Sequence, residues 1–135
     1  MTTPGSLHHI ELYVASLGDS SRFWSGFLGA LGYVKFQEWS QGVSFKLDHT
    51  YIVLVQVEPE HLAPGYHRKR VGLNHLAFHA ASRQQVDDVT HWARQAGYAV
   101  LYEDRHPLAG GPNYYALYCE DPNRIKVELV APAEA

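Results

Sequence analysis

Leu7-His8-His9-Ile10-Glu11-Leu12-Tyr13-Val14 alternates apolar and polar side chains, the period of a strand with one buried face. Leu73-Asn74-His75-Leu76-Ala77-Phe78-His79 does the same further along the chain. Each stretch carries a histidine on its polar side, and His75 lies 66 residues after His9. In the first, Ile10, Leu12 and Val14 share the apolar face, against His9, Glu11 and Tyr13. In the second, Leu76 and Phe78 oppose His75, Ala77 and His79.

The order of elements after each stretch repeats as well. After Val14 a helix is expected, with Ser16 or Asp19 as N-cap and Phe23, Trp24, Phe27, Leu28 and Leu31 as its apolar stripe. Gly32 stands where a glycine ends a helix. Strands are expected over Tyr33 to Glu38, Gly42 to Leu47 and Tyr51 to Val57. After His79, Ser82 and Gln85 fit a capping box for a helix over Ser82 to Ala96, with Val86, Val89, Ala93 and Ala96 inward. Gly97 ends it, 65 residues after Gly32. Strands are then expected over Tyr98 to Glu103, Tyr114 to Cys119 and Ile125 to Val130, with Asp121-Pro122-Asn123-Arg124 as a turn. The chain therefore reads as an α+β domain built from two βαβββ modules, about 6–58 and 73–132, joined by a linker over 59–72. Residues 1–135 are expected to form this one domain.

Composition narrows the chemistry. A chain of 135 residues can bury a core without disulfides. The single cysteine, Cys119, excludes a disulfide framework and thiolate metal sites, and reads as a small core residue. A net charge of −3 gives no electrostatic footprint for nucleic acid. No apolar run is long enough for a membrane span, and the first residues show no targeting pattern, so a cytoplasmic location is the expectation. The basic run His67-Arg68-Lys69-Arg70 reads as a solvated loop, with closure over an anionic substrate as the alternative. Gly110-Gly111-Pro112-Asn113 does not lead from a strand into a helix, so it is no phosphate loop.

One face of each small sheet is covered by its helix, so the polar residues on the other face need a reason. That face carries His9, Glu11, Tyr13, His75, His79, Lys126 and Glu128, with Tyr114, Ala116 and Tyr118 beside them. If the two sheets curl into one trough, His9, His75 and Glu128 converge as two imidazoles and a carboxylate. Such a set suits iron(II), manganese(II), nickel(II) or zinc(II) and leaves positions open for substrate oxygen or water. A fourth ligand depends on register. With Val53, Val55 and Val57 as the core face, Gln56 joins the trough; a slip of one residue puts Val55 there instead. Glu11, one strand step from His9, is a candidate acid or base, or a salt-bridge partner of Lys126. Tyr118, Tyr114 and Tyr13 are candidate substrate contacts, and His79 reads as a solvated strand end.

The doubled module, the two histidine strands and Asp121-Pro122-Asn123-Arg124-Ile125-Lys126-Val127-Glu128-Leu129 resemble the vicinal oxygen chelate superfamily. This is the group of glyoxalases, bleomycin-resistance proteins and extradiol dioxygenases. The resemblance covers nearly the whole chain. It implies a cupped mixed sheet with helices outside, one divalent metal ion in the cup, a small-molecule substrate and a homodimer. His9, His75 and Glu128 match the family's ligand positions, and Val55-Gln56-Val57 resembles a segment that supplies a glutamine ligand in methylmalonyl-CoA epimerases. Without Gln56 the triad resembles that of extradiol dioxygenases and fosfomycin-resistance transferases. Tyr118 matches a pocket tyrosine of those transferases, while Glu11 replaces a threonine in their pocket. The resemblance implies a lyase or isomerase in which the metal stabilises an oxyanion or enediolate, with Glu128 or Glu11 moving the proton. An iron(II) extradiol dioxygenase is the alternative enzyme. A dimeric drug- or metabolite-binding protein is the non-enzymatic one, kept open by Trp39, Tyr13 and the trough tyrosines.

Overall fold

The turn from first strand to first helix is made by Ser16. In the computed structural model, which describes residues 2–134, strand β1 (His9–Val14) gives way to helix α1 (Leu17–Ala30). The Ser16 hydroxyl accepts from the Asp19 amide at 3.3 Å, satisfying one of the orphan donors of the first turn. Phe23, Trp24, Phe27 and Leu28 are fully buried along α1. The helix stops at Gly32, whose φ of +98° a side chain would resist. There the Tyr33 amide donates back to the Leu28 carbonyl at 3.0 Å, a Schellman closure.

The chain divides into two compact units between Gly65 and Tyr66. In the first, β2 (Val34–Trp39), β3 (Gly42–Leu47) and β4 (Thr50–Gln56) join β1 in a sheet of order β1-β4-β3-β2. The β1–β4 pair is parallel and the other pairs are antiparallel. The edge strand β2 is exposed along its length. A bulge between Lys35 and Glu38 and an ion pair between the same two residues break its regular edge, devices that discourage edge-to-edge pairing.

The second unit repeats the plan with one strand fewer. Strand β5 (His75–His79) leads to α2 (Arg83–Gln95), and β6 (Ala116–Glu120) and β7 (Lys126–Val130) complete a sheet of order β5-β7-β6. Ser82 caps α2 through the Gln85 amide at 3.1 Å, and the Gln85 side chain answers the Ala81 amide at 2.7 Å. At the far end Gly97 repeats the role of Gly32, with Tyr98 donating to the Ala93 carbonyl at 2.9 Å. Helix α2 packs on β6 and β7, where Val86, Val89 and Ala93 meet a sheet face whose Leu117, Cys119, Val127 and Leu129 are all buried.

The strand expected over Tyr98 to Glu103 does not form. Val100 makes only an isolated bridge to Cys119, with the Leu101 and Glu120 amides donating to Tyr118 and Ala99 carbonyls. At Tyr102 φ turns positive, to 57°, and the Arg105 and His106 amides fold back onto its carbonyl. The chain therefore turns away before a ladder can extend. The turn before β7 is as expected. The buried Asp121 carboxylate accepts from the Asn123 and Ile125 amides at 2.8 Å each, and Arg124 takes φ 68°. This Asx-type turn sets where β7 begins, and with it the direction of Glu128. No helix among the described residues is long and apolar enough to cross a membrane.

Burial pushes the Cys119 thiol up to about 12. Since the thiolate is the nucleophile, Ellman's reagent at pH 8 is expected to modify the folded protein at least about a hundredfold more slowly than the protein in urea. Comparable rates in the two states would contradict the burial of this residue.

Candidate functional site

In the second unit the register collects the polar residues. The parallel β5–β7 pairing places His75 beside Lys126 and Ala77 beside Glu128, and the antiparallel β6–β7 pairing places Tyr118 beside Glu128. All of these lie on the face opposite Leu117, Val127 and Leu129, as the alternation predicts.

Glu128 is only 3% exposed, so its carboxylate needs partners. One oxygen lies 3.2 Å from His75 Nε2, and the other accepts a hydrogen bond from the Tyr114 hydroxyl. On the far side of the imidazole, His75 Nδ1 lies 2.6 Å from Asn74 Oδ1. An amide oxygen only accepts, so this bond puts a proton on Nδ1. A neutral His75 then turns the Nε2 lone pair toward a carboxylate oxygen. Two such acceptors face each other comfortably only with a proton or a cation between them.

The phenols beside this carboxylate are held neutral. Tyr114 is pushed up to about 12, first by its hydrogen bond to Glu128, then by burial and the carboxylate's charge. Tyr118 is raised by burial first and by the Glu128 charge next. At neutral pH both can donate hydrogen bonds, and neither serves as a base. Sequence alone missed Asn74 and Tyr102 as hydrogen-bond partners of this face. The hint for Asn74 was its place directly before the histidine; Tyr102 gave none, being drawn in by the failed strand. His79 is exposed at the end of β5. In the basic run, Arg68 is committed: it donates to Glu120 at 2.5 Å and to the Arg124 carbonyl at 3.1 Å.

In the first unit, the parallel β1–β4 pairing sets His9 beside Tyr51, Glu11 beside Val53 and Tyr13 beside Val55. The His9 ring stacks on Tyr51, with centroids 4.6 Å apart and ring planes nearly parallel, 5° from each other. His9 Nε2 lies 3.3 Å from the Glu11 carboxylate, and His9 Nδ1 lies 2.8 Å from His8 Nδ1. Tyr13 is exposed.

Gln56 corrects the expectation. It pairs with Val14, on the face opposite His9, and Val55 takes the position on the His9 side. Its amide oxygen accepts from the Leu17 amide at 2.8 Å and its nitrogen donates to the Ala15 carbonyl at 2.8 Å. The side chain thus serves the strand-to-helix connection. The reversal was invisible in the sequence because Ile52, Val53 and Leu54 are all buried; with both faces covered, β4 has no alternation to read. A further group, Glu58, Glu60 and His61, brings its ligand atoms within 4.8 Å of one another. All three residues are exposed, as acidic groups without an ion commonly are.

Known proteins share this plan. The family model described as the glyoxalase/bleomycin resistance protein/dioxygenase superfamily matches residues 8–118. The chain belongs to this superfamily. Protein YqjT of Bacillus subtilis (strain 168), described as uncharacterized, is 60% identical over 127 residues, covering 94% of this chain and 99% of that protein. A crystal structure from Bacillus halodurans, assigned provisionally as a glyoxalase, is 58% identical with a TM-score of 0.94, covering 96% of this chain and 97% of that one. The fosfomycin resistance protein FosX of Listeria monocytogenes shares the fold, with a TM-score of 0.71 at 21% identity over 97% of this chain and 96% of its own.

For this superfamily member, Gln56→Ala is expected to cost about 1–2 kcal/mol in urea unfolding, the loss of bonds at a helix start. Unchanged stability would contradict the role of Gln56 at the start of α1.

Proposed function

We propose that this superfamily member is a metal-dependent enzyme of the glyoxalase-like, lyase or isomerase type, acting on a small substrate with vicinal oxygens. The observation that carries the reading is the His75–Glu128 pair. Two donors bound to one ion at about 2.1 Å lie about 3.0–3.4 Å apart in tetrahedral or octahedral arrangements, and His75 Nε2 and Glu128 Oε1 stand at 3.2 Å. Asn74 fixes the tautomer that leaves Nε2 free to bind, as outer partners of ligating histidines do. Nitrogen and carboxylate donors suit iron, manganese, nickel or zinc.

His9 is proposed as the third ligand, because it opens β1 as His75 opens β5, each beside a parallel final strand of its unit. When bound, a divalent ion supplies a Lewis acid for the negative charge that develops on the substrate's oxygens. The chain's own residues do the rest. Tyr118, kept protonated, donates a hydrogen bond that orients the substrate, while Tyr114, whose proton goes to Glu128, offers its oxygen as an acceptor and its ring as a contact. Glu128 or Glu11 takes and returns the proton, the latter from beside His9. Tyr13 offers an exposed ring for apolar contact.

One observation favours a second reading. Val55 on the His9 face leaves a His-His-Glu set without glutamine, the set suited to an iron(II) extradiol dioxygenase, which needs several open positions. A dimeric drug-binding protein of the bleomycin-resistance type is the third outcome the test distinguishes.

The test is metal analysis of protein purified without chelator, for wild type, His9→Ala, His75→Ala and Glu128→Gln. The expected result is one ion per chain, with affinity lowered by at least about tenfold in each variant. Proton exchange on 2-hydroxy carbonyl compounds in heavy water then marks the lyase or isomerase, and oxygen uptake on catechol marks the dioxygenase. Absence of metal in the wild type, with no activity restored by any added divalent ion, contradicts both enzymatic readings.

A further inference from the structure

Lys126 stands directly beside His75 in the β5–β7 pairing and two residues before Glu128, on the same face. Neighbouring strands lie about 4.8 Å apart and a strand climbs about 3.3 Å per residue, so its Cα is within about 7 Å of both theirs. Yet among the described residues its ammonium has no carboxylate partner. Its cross-strand neighbour Glu120 is taken by Arg68 at 2.5 Å and by Arg124 at 3.3 Å. The Glu128 oxygens are taken by His75 and Tyr114.

What holds Lys126 is aromatic. Its Nζ donates to the Tyr102 hydroxyl at 3.2 Å and lies 5.6 Å and 5.8 Å from the ring centroids of Tyr102 and Tyr118. Ring faces steady a cation without neutralising it. Tyr102 reaches this place with φ at 57°, an outlier for so bulky a residue. Of the three donors on an ammonium, one is spent on Tyr102.

We propose that Lys126, backed by Tyr102, is a subsite for a carboxylate arm of the substrate. This rests on the reading of His75 and Glu128 as metal ligands, and it narrows the substrate to a small acid whose vicinal oxygens are presented to those residues. A single point charge with a phenol beside it matches a monoanion. Of the guanidinium forks that favour phosphoryl groups, those of Arg68 and Arg124 are bound to Glu120, and that of Arg105, 5.2 Å from the Tyr102 ring centroid, is paired with Asp104 at 4.0 Å.

The experiment compares malate with malamate, which has the same 2-hydroxy acid and an amide in place of the distal carboxylate. With manganese-loaded protein, calorimetry is expected to show malate binding at least about tenfold tighter. Lys126→Met brings the two within about twofold, and Lys126→Arg keeps most of the preference. With metal-free protein, the Lys126 Cε–Hε NMR signal, assigned by its loss in Lys126→Met, moves saturably with malate and stays still with malamate. If the wild type takes up no manganese, the metal reading falls, and the metal-free titration alone decides the subsite. If manganese binds but neither arm discriminates, or if Lys126→Met keeps the preference, the subsite is overturned and the metal reading stands.

Discussion

Burying the Glu128 carboxylate at 3% exposure costs several kcal/mol unless charge and hydrogen bonds answer it. Tyr114 answers one oxygen with a hydrogen bond, and the other faces His75 Nε2 at 3.2 Å, where a proton or a cation completes the pair. That single demand organises the polar face of the second unit. It keeps two phenols neutral, it aligns the imidazole that Asn74 orients from behind, and it leaves the neighbouring Lys126 to two tyrosine rings. The carboxylate is held in place by the Asp121 turn, which starts β7, and by the parallel pairing with β5, which decides what stands next to it.

The duplication was legible because its signals are local. Glycines at positive φ close both helices with the same bond pattern, and serines open both. The faces of β1, β5, β6 and β7 were legible too, since each alternates apolar with polar residues along the strand. Two things were not. The register of β4 was hidden by burial on both faces, and so Gln56 was placed in the trough when it in fact ties Leu17 and Ala15. The stretch after Gly97 has strand-like composition, but its outcome was set by a turn at Tyr102 that depends on contacts with β6 and with Lys126. The metal-site candidates fared according to the same rule. His75 and Glu128 lay on alternating strands and are neighbours; Gln56 lay on a doubly buried one.

Membership of the glyoxalase/bleomycin resistance protein/dioxygenase superfamily brings a fold that serves several chemistries. The residues must therefore argue the function. With Gln56 engaged at the start of α1, the proposed donors reduce to His9, His75 and Glu128. Fewer protein ligands leave more of an ion's coordination to substrate, so the neighbours that touch substrate directly gain weight in setting specificity. On the second unit the proposed contacts are Tyr114, Tyr118 and Lys126.

The proposed chemistry stands or falls on whether His75 Nε2 and Glu128 bind one divalent ion. Zinc titration followed by imidazole 15N NMR decides this at the atom concerned. At one equivalent His75 Nε2 is expected to move to a metal-bound shift while Nδ1 keeps its proton. An unmoved Nε2 at saturating zinc, or binding through Nδ1, would contradict it.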